Sequence, residues 1–233
     1  MAGAPVTQAI ARVRTVLTGP ARPYTRPGSR SAIDKQPQAG PVAVGALGLA
    51  GDEQGDLRVH GGPDKAVHCY ASVHYPVWRT ELPPASRLQA PGAFGENLSL
   101  DGLDEHGVCI GDRWQIGSAQ CEVSQGRQPC WKLNDRFGVP DMARRVQDSG
   151  RAGWYLRVVQ PGQVQAGDSV LLLARPHANW SIARLLRLIA ERSCVPAVLD
   201  EVLALPLPPS WERLFRRRRE QGQAEDWAPR LQG

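Results

Sequence analysis

Arg113-Trp114-Gln115-Ile116-Gly117-Ser118-Ala119-Gln120-Cys121-Glu122-Val123-Ser124 is the stretch that decides the fold. Polar and apolar residues alternate on both sides of Gly117-Ser118, the pattern of two short strands joined by a tight turn. Working outward, the same texture recurs. Ile10–Leu17, Pro41–Leu49, Ala66–Tyr70, a run ending at Leu100, Gly153–Gln160 and Ser169–Leu173 all read as short strands. The last two read as a pair of their own, turned near Pro161-Gly162 and Gly167-Asp168. Few helices interrupt them. Ser72 is placed to cap one that runs to about Leu82, where Pro83-Pro84 stops it. Asp141–Asp148 reads as another, ending at Gly150. Many short strands with frequent turns predict a mainly β domain with some α over residues 1–176: a closed or nearly closed β-barrel with inserted short helices.

After Pro176 the texture changes. Ser181 caps a helix over Ile182–Glu191, whose apolar residues at 182, 185, 186, 189 and 190 form one stripe. Pro196–Leu205 and Pro209–Gly222 read as two more, so residues 177–233 are expected to form a small three-helix module. Arg216–Arg219 lies on the last of these helices. Such a run reads as a solvated face, with docking of an acidic partner as its alternative use.

Composition narrows the function classes. The 233 residues suffice for a full core plus an appendage. No run approaches the roughly 20 apolar residues needed to span a bilayer. The start of the chain lacks the basic-then-apolar order of a secretory signal. A cytoplasmic protein with no membrane partner is expected. Five cysteines, an odd number with no Cys-x-x-Cys pair, disfavour a disulfide framework and a structural zinc site. Residues 1–176 hold 19 basic and 16 acidic side chains, and residues 177–233 hold nine and seven. Neither part is basic enough to suggest nucleic-acid binding. Of 28 basic residues only three are lysine: Lys35, Lys65 and Lys132. A lysine that persists in so arginine-rich a chain suits a role as a compact point charge on a phosphate.

Four segments are able to carry chemistry. Gln125-Gly126-Arg127-Gln128-Pro129-Cys130-Trp131-Lys132-Leu133 sets one cysteine between two cations, which favours the thiolate, the form that binds metals. His60-Gly61-Gly62-Pro63-Asp64-Lys65 is a glycine loop of the kind whose backbone N–H groups approach an anion. Phe94-Gly95-Glu96-Asn97 offers a carboxylate and an amide suited to the edges of a heterocycle, or to capping a turn. Ser31-Ala32-Ile33-Asp34-Lys35, preceded by Arg30, adds two phosphate-binding cations.

Taken in order, His60–Lys65, Phe94–Leu98 and Gln125–Leu133 resemble the MOSC domain, named for the C-terminal part of molybdenum cofactor sulfurases. The helical segment, from Ser210-Trp211 to Arg230-Leu231, resembles the short helical domain of the YiiM-type branch. The resemblance therefore covers nearly the whole chain. It implies a β-barrel that binds molybdenum cofactor (Mo-molybdopterin), with Cys130 matching the cysteine that supplies a sulfur ligand to molybdenum. Lys35, Lys65, Arg127 and Arg30 then become candidates for the pterin phosphate, and His60, Asn97 and Gln125 for the pterin or substrate. Gln36 departs from the pattern, standing where a further basic residue is expected. The implied activity is reduction of N-hydroxylated compounds, hydroxylamino purines among them, to amines. The cofactor carries the redox chemistry. Without a flavin, nicotinamide or iron–sulfur motif, electrons are expected from a partner reductase. The rival reading is a molybdenum cofactor or sulfur carrier with no turnover of its own.

Overall fold

A computed structural model of the chain describes residues 8–55, 61–84 and 86–233. Seven strands close on themselves: β1 (Gln8–Thr18), β2 (Val67–Ala71), β3 (Leu98–Asp101), β4 (Arg113–Ile116), β5 (Ala119–Gly126), β6 (Trp154–Gln160) and β7 (Ser169–Ala174). Around the barrel they run β1-β7-β4-β5-β6-β2-β3, and β3 returns to β1. Every pairing is antiparallel except β2 with β3. Those two parallel strands need a crossover, and helix α1 (His74–Glu81) lies within it. β1 is the long strand: its first half pairs with β7 and its second half with β3. Closure leaves this sheet without an open barrel edge. Alternate side chains point inward. Val13, Leu98, Leu100, Trp114, Ile116, Val123, Trp154, Leu156 and Val170 are all buried in one core.

The expected hairpin at Gly117-Ser118 is present as β4–β5, with Ala119 opposite Ile116 and Cys121 opposite Trp114. Several local expectations are corrected. Pro41–Leu49 is not a barrel strand; Val42–Gly45 and Gly48–Leu49 form a small hairpin that pairs with Gly162–Val164 in a separate sheet. β6 and β7 do not pair with each other, because β4 and β5 lie between them. Ser72 does not cap α1: its hydroxyl bonds the Asp101 carboxylate across the parallel strands instead. A helix unseen in the sequence, α2 (Lys132–Phe137), follows Cys130 directly and leads to α3 (Met142–Ser149), which ends at a left-handed Gly150 as expected.

The helical segment comprises α4 (Ile182–Ala190), α5 (Pro196–Leu203), α6 (Pro209–Gln221) and one further turn, α7 (Ala228–Leu231). Ser181 caps α4, accepting from the Arg184 N–H at 3.1 Å. The α4 backbone is stitched to the barrel side: Ile182 N–H reaches Val108 O and Ala183 N–H reaches Glu105 O, both at 2.8 Å. Gly126 makes this contact possible, since a Cβ there would lie 2.8 Å from Leu186 Cδ2. Trp211 and Phe215, edge to face at 5.8 Å, bury the inner face of α6. The arginine run on α6 is not a uniform cationic face. Arg218 is buried, paired with Glu225 and bonded to the carbonyls of Leu188 and Ile189. Arg216 pairs with Glu212, Arg217 bonds Gln221 and Arg219 pairs with Asp200. Among the described residues no helix is long and apolar enough to cross a membrane.

Candidate functional site

Loops at one end of the barrel, where β1 and β5 finish and β2, β3 and β6 begin, surround an open cleft. Its walls include Lys35, Asp52, Lys65, His68, Asn97, Arg127, Cys130, Lys132 and Tyr155. It encloses about 590 Å³ of non-atom space, part of it continuous with solvent, within the range of roughly 300–1,000 Å³ common for small-molecule sites. All three lysines of the chain line it. Cys130, half-buried, is the only cysteine among the described residues that does.

The Cys130 loop is fixed at both ends. Arg127 N–H donates to Gly153 O at 2.9 Å, and Trp131 N–H donates to Arg230 O at 2.8 Å. Lys132 Nζ turns to the carbonyl of Arg30 at 2.6 Å, while its own carbonyl accepts from the Tyr24 hydroxyl at 2.9 Å. Sequence reasoning placed Lys132 beside the sulfur; in the fold its ammonium ties two loops together.

Burial dominates the electrostatics. It lowers the pKa of Lys35, against the opposing pull of Asp52, and that of Lys65, against Asp64. Burial, reinforced by Arg127, holds His68 well below its usual value, so the ring is neutral. Burial also pushes the Tyr155 phenol up, although Arg127 bonds to it and lowers it in turn. His68 and Tyr155 rings lie 5.1 Å apart. Arg127 is itself 93% hidden, exposing 7% of its surface, yet its Nη1 has no hydrogen-bond partner among the described residues. Buried donors left in that state cost free energy unless a ligand satisfies them.

The remaining expected residues divide. Asn97 lines the cleft, but its amide is engaged within the fold: Oδ1 accepts from His68 N–H at 3.0 Å, and Nδ2 donates to Leu17 O and to Asp52 Oδ2. Its neighbour Glu96 is a fully buried turn cap, taking the Tyr75 hydroxyl and the N–H groups of Gly92 and Phe94. Gln125 is buried on β5 and does not line the cleft. Arg30 is exposed, with its guanidinium on Ala21 O. Gln36 is exposed in a short pairing with the end of β1, away from the cleft wall. His60 lies outside the described residues. Gly62, with φ of 96°, turns the chain into Pro63–Lys65 and delivers Lys65 to the cleft.

Sequence reasoning missed Asp52, His68 and Tyr155. Asp52, whose side chain is 2% exposed, holds Lys35 and accepts from Gly19 N–H at 3.0 Å and from Asn97. It stands in Gly51-Asp52-Glu53-Gln54-Gly55, a stretch of turn-type residues with no local sign of a site. The alternating pattern of β2 and β6 was the available signal for His68 and Tyr155, which stand directly opposite each other in the ladder.

The donor set fits a molybdenum pterin. One soft sulfur faces the cleft, suited to a metal that arrives with its own dithiolene. Lysines 35 and 65 and the incompletely bonded Arg127 suit an anionic phosphate.

Comparisons with known proteins agree with this reading of the fold. The MOSC domain pattern matches residues 56–171, and the YiiM-like, 3-alpha helix domain matches residues 180–222. Protein YiiM of Escherichia coli (strain K12) is 39% identical over 219 residues, covering 94% of this chain and 97% of that protein. A protein named Reductase from Gibberella moniliformis is 43% identical over 178 residues, 76% of this chain, but the chain spans only 32% of its length. The crystal structure of YiiM from Escherichia coli superposes with a TM-score of 0.81 at 32% identity, covering 96% of this chain and 99% of that one. That of YiiM from Geobacillus stearothermophilus gives 0.75 at 33% identity, covering 89% and 98%. The chain thus belongs to the MOSC-domain family, in the YiiM-type arrangement of a closed barrel followed by a helical segment.

Proposed function

We propose that this chain is a molybdenum-cofactor-dependent oxidoreductase. It reduces N-hydroxylated compounds, such as hydroxylamino purines, to amines, with electrons delivered by a partner protein. The observation that carries the reading is the convergence of Cys130, all three lysines and the incompletely bonded Arg127 on one cleft. The name Reductase borne by the 43%-identical relative points the same way.

Cys130 Sγ is the metal ligand. Lys65 and Arg127 bind the phosphate of the pterin. Lys35 adds to them from across the cleft, with its charge already matched by Asp52. Asn97 fixes Asp52 and the start of β2, so it positions the wall rather than touching the ligand. Neutral His68, with its ring 5.1 Å from that of Tyr155, forms an uncharged part of the wall beside the pterin or substrate. When bound, the cofactor supplies two-electron removal of the hydroxyl oxygen. Arg30 and Gln125, whose side chains do not line the cleft, take no part in this assignment, and the role of His60 rests on the sequence resemblance.

The test is reduction of 6-N-hydroxylaminopurine with a chemical electron donor. Cys130→Ala and Cys130→Ser are expected to lose activity while their circular dichroism stays that of the unaltered chain. Full activity in either variant removes metal ligation by this sulfur as the basis of catalysis. Sulfane sulfur on Cys130 without turnover points instead to the carrier reading.

A further inference from the structure

The Cys130 loop is held from the far end of the chain. Arg230, on α7, donates from Nη1 to Pro129 O and from Nη2 to Gln147 Oε1 on α3. Its own carbonyl accepts the Trp131 N–H at 2.8 Å. One residue therefore brackets Cys130, bonding the backbone of the residue before it and of the residue after it. A second strut runs parallel, from Asn134 Nδ2 to Leu231 O at 2.8 Å. The other side of Trp131 is covered by the Arg26 guanidinium, 3.9 Å from the ring centroid.

The segment bearing Arg230 is itself clamped. Buried Arg218 grips Glu225, the Trp227 indole N–H donates to the same carboxylate at 2.8 Å, and Arg192 stacks on the Trp227 ring at 4.3 Å. An unbroken series of contacts thus joins the helical segment to the cysteine: Arg218, Glu225, Trp227, α7, Arg230, Pro129–Trp131. A guanidinium suits this role better than an ammonium, because its planar fork reaches two acceptors at fixed geometry.

We infer that Arg230 is a positioning residue for Cys130, and that the helical segment serves the site by holding this arginine against the Pro129–Trp131 backbone. The inference rests on the proposed role of Cys130 as ligand. Loss of the fork frees Pro129 O and breaks the tie to α3. It leaves the far side of the loop held through the main-chain carbonyls of Arg230 and Leu231, whose own short helix the guanidinium no longer pins. The sulfur then samples more positions, and a ligand bond that demands one position weakens.

The experiment combines backbone hydrogen exchange with cofactor content on the full chain, made in cells able to assemble molybdenum cofactor. Arg230→Met keeps the aliphatic stem and removes the fork. Exchange at the Trp131 amide is expected to rise at least ~tenfold while barrel strands β4 and β5 keep their protection. Molybdenum and pterin content should fall together. Arg230→Lys, reaching one acceptor of the two, should recover part of both, which a purely structural contribution to fold stability does not predict. Unchanged Trp131 exchange in folded Arg230→Met overturns the inference. If that variant does not fold, Arg230→Gln decides, since it keeps a polar end but is too short to hold Pro129 O and Gln147 Oε1 together. Faster Trp131 exchange then supports the inference, and unchanged exchange overturns it. Unaltered protein lacking molybdenum overturns the cofactor reading alone; the exchange data still judge the anchoring of the loop.

Discussion

Arg127 in the cleft and Arg218 in α6 expose 7% and 1% of their surfaces, and their surroundings differ completely. Arg218 has the Glu225 carboxylate on Nε and Nη2 and main-chain carbonyls on Nη1 and Nη2. Arg127 bonds Tyr155 but keeps one nitrogen without a partner among the described residues, beside lysines whose pKa burial has lowered. A buried charge that the fold satisfies is part of the architecture. A buried charge that the fold leaves open is prepared for something else. The contrast separates the helical segment, where charges close on one another, from the cleft, where cations exceed the acids that face them.

The largest test of that contrast is Arg218→Met. Removing one partner of a buried pair leaves Glu225 uncompensated, at a cost of about 3–5 kcal/mol. For a chain of this size that lowers the thermal midpoint by roughly 6–20 °C, readable by calorimetry. Arg127→Met should behave in the opposite sense. Stability stays within about 1 kcal/mol, because no internal ion pair is broken. Affinity for inorganic phosphate in the cleft, measured by titration calorimetry, should fall by roughly 10–100-fold, the loss of a charge-assisted contact. Equal destabilisation by the two substitutions would erase the distinction.

Acid and alkali sharpen it further. Burial raises the Glu225 pKa, but the hydrogen bonds from Arg218 and Trp227 prevail and hold it at about 2, against an ordinary 4.5. The folded value is depressed, so the stabilisation is fully present above about 4.5 and is lost as pH falls towards 2. Glu225→Gln should flatten the stability curve across that window. In the cleft the sign is reversed. Lys35 and Lys65 lie below the ordinary 10.5, and an anion bound beside them pulls them back up. Phosphate affinity should therefore decline as pH rises, before pH reaches 10.5, with proton uptake on binding in that range. An affinity flat through that range contradicts the assignment. The smallest effect is expected from Arg216→Ala. Its partner Glu212 is exposed with it, so no shift of the thermal midpoint should be measurable.

What was legible in the sequence was local. The β4–β5 hairpin, the Ser181 cap and the Gly150 stop each depend on a few adjacent residues. The scarcity of lysine carried more: three positions far apart in sequence line one cleft. What failed was non-local. Pairing β6 with β7 followed from adjacency in sequence, whereas closure interposes β4 and β5 between them. Ser72 has the chemistry of a cap, yet Asp101 across the parallel strands offered it a stronger partner. Arg218 was read with its neighbours as surface, although it follows Trp211 and Phe215 at helical spacing on the buried stripe. Nothing near Cys130 in sequence points to Arg230, a hundred residues on; only the fold of α7 onto the loop brings them together.

The central claim is that the Cys130 sulfur is bonded to molybdenum in a cleft built for its anionic pterin. Elemental analysis with pterin fluorescence, on protein purified from cells that assemble the cofactor, tests it most directly. The account predicts stoichiometric molybdenum and pterin in the unaltered chain and loss of the metal in Cys130→Ala. Absence of molybdenum from the unaltered chain, or equal molybdenum in both proteins, contradicts it.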